Sequence, residues 1–122
     1  MAMIDDYRKG WALRYIREAI DELKTYRKTS RPLDLVVDAA RKAQAAIYYS
    51  LGDPASIESM VNEISNKTNS VENPVLRCLV DIERALQQME NLPVSASEEA
   101  LRKTDEIIWI ASKIVGLLTS QD

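Results

Sequence analysis

Acidic side chains at helical spacing are the first residues in this chain that could do chemistry. Three or four residues apart on a helix, carboxylates can converge on a hard divalent cation. All-helical nucleotide pyrophosphohydrolases use Glu-x-x-Glu and Glu-x-x-Asp pairs on facing helices in this way. The candidates here are Glu18, Asp21 and Glu22, the pair Asp34 and Asp38, and, more weakly, Glu58 with Asn62. A core-facing second pair is not found, so a metal-dependent helical hydrolase is the third of three hypotheses.

Nucleophilic chemistry has little to draw on, because the chain has no histidine and a single cysteine, Cys78. Without histidine there is no Ser/His/Asp or Cys/His site and no usual general base. The three glycines are not grouped into a phosphate-binding loop. Cys78 is placed near the start of a predicted helix but beside its core stripe, so we interpret it as a small buried hydrophobe. We therefore predict a protein that is not an enzyme, with no catalytic residue, metal or cofactor.

Basic and aromatic side chains are concentrated in the first predicted helix. Such a combination can hold single-stranded nucleic acid by base stacking and phosphate contact. The basic candidates are Arg14, Arg17, Lys24, Lys28 and Arg31. Trp11 and Tyr15 fall in the predicted core row, which favours packing over a stacking platform. A nucleic-acid-associated bundle, as a subunit of an RNA- or DNA-processing complex, is therefore the second hypothesis.

Composition indicates an ordinary globular chain of 122 residues, with 46% hydrophobic and 29% charged residues. That length predicts one domain spanning residues 1–122. A net charge of −3 argues against a wholly basic nucleic-acid-binding surface but allows a local patch. A lone cysteine excludes an intrachain disulfide. No signal-like segment and no apolar run near ~18 residues is found, so we expect a cytoplasmic protein with no membrane partner.

Hydrophobic periodicity predicts an all-α protein, a small antiparallel bundle of four to five helices. Pro32, Pro54 and Pro74 each suit the first turn of a helix, with Asp53 and Asn73 as N-caps. Ser95 to Glu98 form a capping box before the last helix. The predicted helices cover residues 4–28, 32–51, 54–66, 74–91 and 96–119.

The second helix is predicted to lie at the centre of the bundle, because two of its faces are apolar. One face carries Leu33, Val36, Val37, Ala40, Ala43, Ile47 and Leu51, and the other carries Leu35, Ala39, Ala46 and Tyr49. A helix that is apolar on opposite sides can contact more than one neighbouring layer. Its alanines allow neighbouring helix axes to approach closely.

Within this helix, the stretch Ala39–Gly52 (AARKAQAAIYYSLG) resembles the alanine-rich second helix of HEPN-type bundles. The resemblance implies a helix packed in a four-helix core. Active members of that family place an arginine and a histidine a few residues apart for RNA cleavage. Since this chain has no histidine, the resemblance implies the packing and not the nuclease activity.

The fifth helix has more apolar surface than one core face requires. At ~100° per residue, Trp109 falls on the side that carries charged residues, and Ile110 and Leu117 fall on a third side. Burial between two neighbouring helices is one interpretation; a binding surface is the other, because tryptophan is favoured at the centres of interfaces. We predict that Trp109, Ile110, Leu117, Lys113 and Arg102 form an interface. The preferred hypothesis is a non-catalytic interaction module that forms a homo-oligomer or joins a larger assembly through this helix.

Overall fold

Five helices make up the part of the chain that the structure describes. The computed structural model describes residues 6–29, 34–67, 71–93 and 96–119, and within these ranges it contains no strand. The helices are α1 (Asp6–Thr29), α2 (Asp34–Leu51), α3 (Pro54–Ser65), α4 (Pro74–Glu90) and α5 (Ser97–Thr119). The prediction of an all-α bundle is confirmed, and the described ends agree with the predicted ones to within one or two residues. Residues 4, 5, 32 and 33 and Ser95 of the capping box lie outside the described residues.

Two of the predicted N-caps are formed. The Asp53 carboxylate accepts hydrogen bonds from the backbone N–H of Ser56 at 3.2 Å and from its hydroxyl at 2.6 Å. The Asn73 side chain accepts from the backbone N–H of Leu76 at 3.0 Å. In both places a proline follows the cap, where its lack of an N–H costs nothing. These two signals therefore fix where α3 and α4 begin.

The central position of α2 is also confirmed, since it packs against α1, α3, α4 and α5. Four of its alanines are wholly buried, and Val36 and Ile47 fill the space between them. Around α2, α1 and α5 also contact each other, and α3 and α4 pack as a pair. Contact between α4 and α5 is slight, which leaves a groove between these two helices.

Three side chains assigned to core faces are exposed instead. Val75 is 58% exposed, Met60 is 43% exposed and Leu51 is 38% exposed. Val75 lies in the first turn of α4 and Leu51 in the last turn of α2, where the neighbouring helices no longer cover them. Periodicity identifies the direction in which a side chain points, but not where its covering neighbour ends.

The connection between α3 and α4 is held at both flanks by arginines of α4. Arg84 donates hydrogen bonds to the backbone carbonyl oxygens of Ser65 and Lys67, at 3.4 and 2.8 Å. Arg77 donates to the carbonyl oxygen of Val71 at 2.9 Å. Residues 68–70, between these contacts, lie outside the described residues.

Gly10 lies in the interior of α1, is exposed, and has nothing within 4 Å of the position that a Cβ would take. Gly10→Ala is expected to raise the free energy of unfolding by about 0.5–1 kcal/mol, because alanine is the better helix former. Thermal or urea denaturation followed by circular dichroism measures the change. Gly52→Ala is the matched control: its new Cβ would lie 3.3 Å from Cδ1 of Ile57, so its gain should be smaller or absent. Equal gains at both positions would contradict this account.

Candidate interaction surface

The outward side of α5 carries the residues predicted to form an interface. Ala100, Thr104, Ile107, Ala111 and Val115 recur every three or four residues along α5 and face the core. Side chains on the remaining arc of the helix therefore point outward or lie at the edge of the core face. We call these the α5 outer surface: Arg102, Glu106, Trp109, Ile110, Lys113 and Leu117.

Two large apolar side chains of the α5 outer surface are mostly in contact with solvent. Trp109 is 64% exposed and Leu117 is 67% exposed, while Ile110 is half-buried against the core. The Lys113 ammonium lies over the Trp109 ring, 5.4 Å from its centroid. Such a cation–π contact holds the indole against its own helix. All five predicted interface residues therefore share one side of α5, with Ile110 at its inner edge.

An apolar groove between α4 and α5 continues from the α5 outer surface. We call it the α4–α5 groove; its volume is about 370 Å³. It is lined by Leu51, Pro74, Val75, Cys78, Leu79, Ile114, Leu117 and Leu118. Leu117 belongs to both features and joins them. Val75 and Leu51 were missed as surface residues because their sequence spacing matches a core face.

Cys78 lines this groove and is half-buried. Burial raises the pKa of its thiol, and the nearby Asp81 carboxylate raises it further. Both effects keep the sulfur protonated and counteract the lowering expected near a helix N-terminus. Cys78 thus behaves as a small apolar side chain in the groove.

Basic side chains of α1 are engaged within the bundle or lie along its solvent side. The Arg14 guanidinium is paired with Glu18 at 2.8 Å and lies 4.9 Å from the centre of the Trp11 ring. Of the other nucleic-acid candidates, Arg17, Lys24 and Lys28 are exposed, and Arg31 lies outside the described residues. Trp11 stacks against Tyr49, with ring centroids 6.2 Å apart. The aromatic rings of α1 are thus packed partly against α2.

Three of the six candidate carboxylates converge on a lysine. The Lys42 ammonium contacts Glu22, lies 3.1 Å from Glu18 and lies 3.6 Å from Asp38. Asp21, by contrast, is exposed on the outer side of α1. Among the described residues, no group of three or more His, Cys, Asp or Glu side chains is arranged to hold a metal ion. The helical spacing of the acidic residues thus brings carboxylates of α1 and α2 to an ammonium group.

Glu22 in this cluster is expected to make stability depend on pH. Burial raises the pKa of its carboxyl, as does the neighbouring Asp38, and its Oε1 is buried with no hydrogen-bond partner among the described residues. A raised pKa in the folded state means that stability is lost as pH rises from about 4.5 through the folded value. Glu22→Gln should therefore gain stability relative to the wild type between pH 4 and pH 7, measured by urea denaturation. Asp21→Asn, which removes one exposed charge nearby, is the control; a pH-independent difference would contradict this assignment.

A buried polar network, which apolar periodicity does not predict, joins α2 to α4. Glu83 is 5% exposed, and its Oε1 accepts hydrogen bonds from Arg41 at 2.9 Å and Gln44 at 2.7 Å. Its Oε2 accepts from Gln87 at 2.8 Å. Arg41 also donates to Glu90, at 2.9 and 3.1 Å. The signal was present in the sequence, since Glu83 falls four residues after Leu79 and three before Leu86, on the core stripe of α4.

Electrostatics within this network favour ionised Glu83. Burial raises the pKa of the carboxyl, but hydrogen bonds from Gln44, Gln87 and Arg41 outweigh it, so the pKa is lowered overall. Burial and the charge of Glu83 raise the pKa of Tyr48, whose hydroxyl accepts a hydrogen bond from Gln44 at 3.0 Å. Glu83 and Tyr48 line a polar cavity of about 600 Å³ between α2, α3 and α4. The side-chain donors around Glu83 all bond to its carboxylate, so the network acts as a clamp between α2 and α4.

Comparisons with known proteins add no relative: no protein-family model, curated protein or solved structure matches this sequence. In the part of the chain that the structure describes, no helix has the length and apolar content needed to span a bilayer. The geometry of the described residues is therefore the basis on which function is inferred.

Proposed function

We propose that this protein is a non-catalytic interaction module that self-associates through the α5 outer surface. The observation that carries the proposal is the exposure of both Trp109 and Leu117, about two turns apart on one side of α5. Single exposed apolar side chains are common, whereas clustered ones mark interaction sites. Tryptophan is also among the residues that contribute most to binding free energy when an interface covers them.

The α4–α5 groove supports this proposal by enlarging the apolar area. Val75 and Leu51 add exposed apolar surface next to Leu117, at the end of the groove. A second chain that covers Leu117 would shield part of this groove from water as well. The apolar surface therefore extends across two helices instead of forming one isolated stripe.

The chemistry of the polar clusters supports a module without catalysis. Glu83 accepts from three side-chain donors, and Lys42 neutralises carboxylates of α1 and α2. Groups that perform general acid–base or metal chemistry need a free position for substrate. The charged groups named here are instead bound to other side chains of their own cluster. We assign to both of them the role of holding α2 in place.

Nucleic-acid binding through α1 is the weaker alternative. Arg14 is already paired with Glu18, and the Trp11 ring contacts both the Arg14 guanidinium and the Tyr49 ring. If α1 did bind single-stranded oligonucleotides, affinity would fall steeply with added salt and would be lost in the variant Arg14→Ala/Arg17→Ala. That result would move the function from α5 to α1.

Sedimentation of the wild-type protein tests self-association directly. The measurement runs from about 1 μM to about 1 mM, which spans association free energies from about −8 to about −4 kcal/mol. We expect the weight-average mass to rise with concentration above that of one 13.8 kDa chain. A mass that stays at one chain over the whole range would overturn the proposal.

A further inference from the structure

The α5 outer surface is self-complementary. A two-fold axis that crosses α5 between Trp109 and Ile110 lies about one helical turn from Glu106 on one side and from Lys113 on the other. Arg102 and Leu117 are likewise equidistant from this axis, at about two turns. In two antiparallel copies of the helix, Glu106 of one copy would therefore lie opposite Lys113 of the other. Trp109 would lie opposite Ile110, and Leu117 opposite Arg102.

From this complementarity we infer that the partner is one second copy of this chain, paired through antiparallel α5 helices about that axis. The inference rests on the proposed self-association and specifies its geometry. Glu106 lies opposite the partner's Lys113, and Trp109 packs against the partner's Ile110. The aliphatic part of Arg102 covers the partner's Leu117, with its guanidinium in water. Because the axis is two-fold, every contact occurs twice.

Helical geometry keeps the paired groups on the same side of the interface. At ~100° per residue, Glu106 and Lys113 differ in direction by only ~20°. All six positions of the α5 outer surface fall within an arc of ~100°, the width of an ordinary buried helix face. Glu106 and Lys113 are both exposed, so their charged ends can reach across without displacing the core.

A parallel arrangement would have the opposite electrostatic effect. It would bring Glu106 next to Glu106, and Lys113 next to Lys113, of the two copies, and like charges at an interface oppose association. The antiparallel pair uses the same patch on both copies, so the contact closes and growth stops at the dimer. The stretch from Arg102 to Leu117 is about 24 Å long and about 10 Å wide. That contact is smaller than a standard interface, so we expect a dissociation constant on the order of 10–100 μM.

Charge reversal tests this pairing. Glu106→Lys places two positive side chains opposite each other at both ends of the contact, and Lys113→Glu places two negative ones there. Each single variant should dissociate at least about tenfold more readily than the wild type in sedimentation. The double variant Glu106→Lys/Lys113→Glu should recover dimerisation. An equimolar mixture of the two single variants should also recover it, as a heterodimer in which both pairs are again of opposite charge. Circular dichroism verifies that each variant is folded.

The outcomes separate the pairing from the function on which it rests. If the wild type self-associates and each single variant associates as strongly as the wild type, the antiparallel pairing is overturned. The proposed function would still stand. Weakened single variants with no recovery in the double variant or the mixture would also overturn the pairing. A mass that grows beyond two chains would exclude the closed dimer. A wild type that stays monomeric would overturn both proposals.

Discussion

Glu83→Gln is expected to lower the free energy of unfolding by about 2–3 kcal/mol, the upper part of the range for leaving a buried donor without its acceptor. The carboxylate is the common acceptor for Arg41, Gln44 and Gln87. A glutamine side chain offers one acceptor and one donor group in the same volume. One of the three donors would then face another N–H group, and the Arg41 guanidinium would keep Glu90 as its charged partner but lose the buried one. Urea denaturation followed by circular dichroism measures the loss.

Acid should weaken the same clamp in the wild type. The pKa of Glu83 is lowered in the folded state, so its contribution to stability is present above the unfolded value of about 4.5. That contribution is lost as pH falls from about 4.5 through the lower folded value. Glu83→Gln lacks this titration, and its stability should therefore approach that of the wild type as the solution is acidified.

Glu90→Gln is the matched control for Glu83→Gln. Both glutamates lie on α4 and pair with Arg41, but the Glu90 side chain is 45% exposed against 6% for Glu83. An exposed ion pair is worth about 0–1 kcal/mol. The control should therefore lose no more than about 1 kcal/mol. Equal losses for the two variants would show that burial of the network does not determine its strength.

Features with local causes could be predicted from the sequence. The starts of α3 and α4 follow from Asp53 and Asn73, each with a proline behind it, and their hydrogen bonds are formed as expected. The central position of α2 followed from its two apolar faces, because a helix with no polar back requires neighbours on several sides. In both cases the physical cause lies within a few residues of its effect.

Features that depend on which helix covers which position could not be predicted. Val75 matches the apolar period of α4 but stays exposed at the end of the α4–α5 groove, and Leu51 ends α2 in the same region. Glu83 was overlooked for a different reason: a charged residue on a core stripe is stable only if its partners arrive from another helix. Arg41 and Gln44 are those partners, about forty residues earlier in the chain. Pairing across such separations leaves no trace in local periodicity.

Trp109→Ala is expected to weaken self-association about a thousandfold. Truncating a tryptophan at the centre of an interface commonly costs about 2 kcal/mol or more. In the antiparallel dimer both copies lose the side chain, so the loss is about 4 kcal/mol, which corresponds to about three orders of magnitude in the dissociation constant. A dimer with a dissociation constant on the order of 10–100 μM would then be largely monomeric in sedimentation up to about 1 mM. The free energy of unfolding of the monomer should change by no more than about 0.5 kcal/mol, because Trp109 is largely exposed.

Met60→Ala is the control for Trp109→Ala, since Met60 is 43% exposed on α3, a helix that packs against α2 and α4. It removes an exposed apolar side chain without touching the α5 outer surface, and it should leave association unchanged. If both variants weakened association equally, exposed apolar area in general would drive it, and α5 would have no special role. If Trp109→Ala associated as strongly as the wild type, the interface would have to lie elsewhere on the bundle. Loss of association in Trp109→Ala alone would place the indole at the contact, because the two variants differ in which helix loses its exposed apolar side chain.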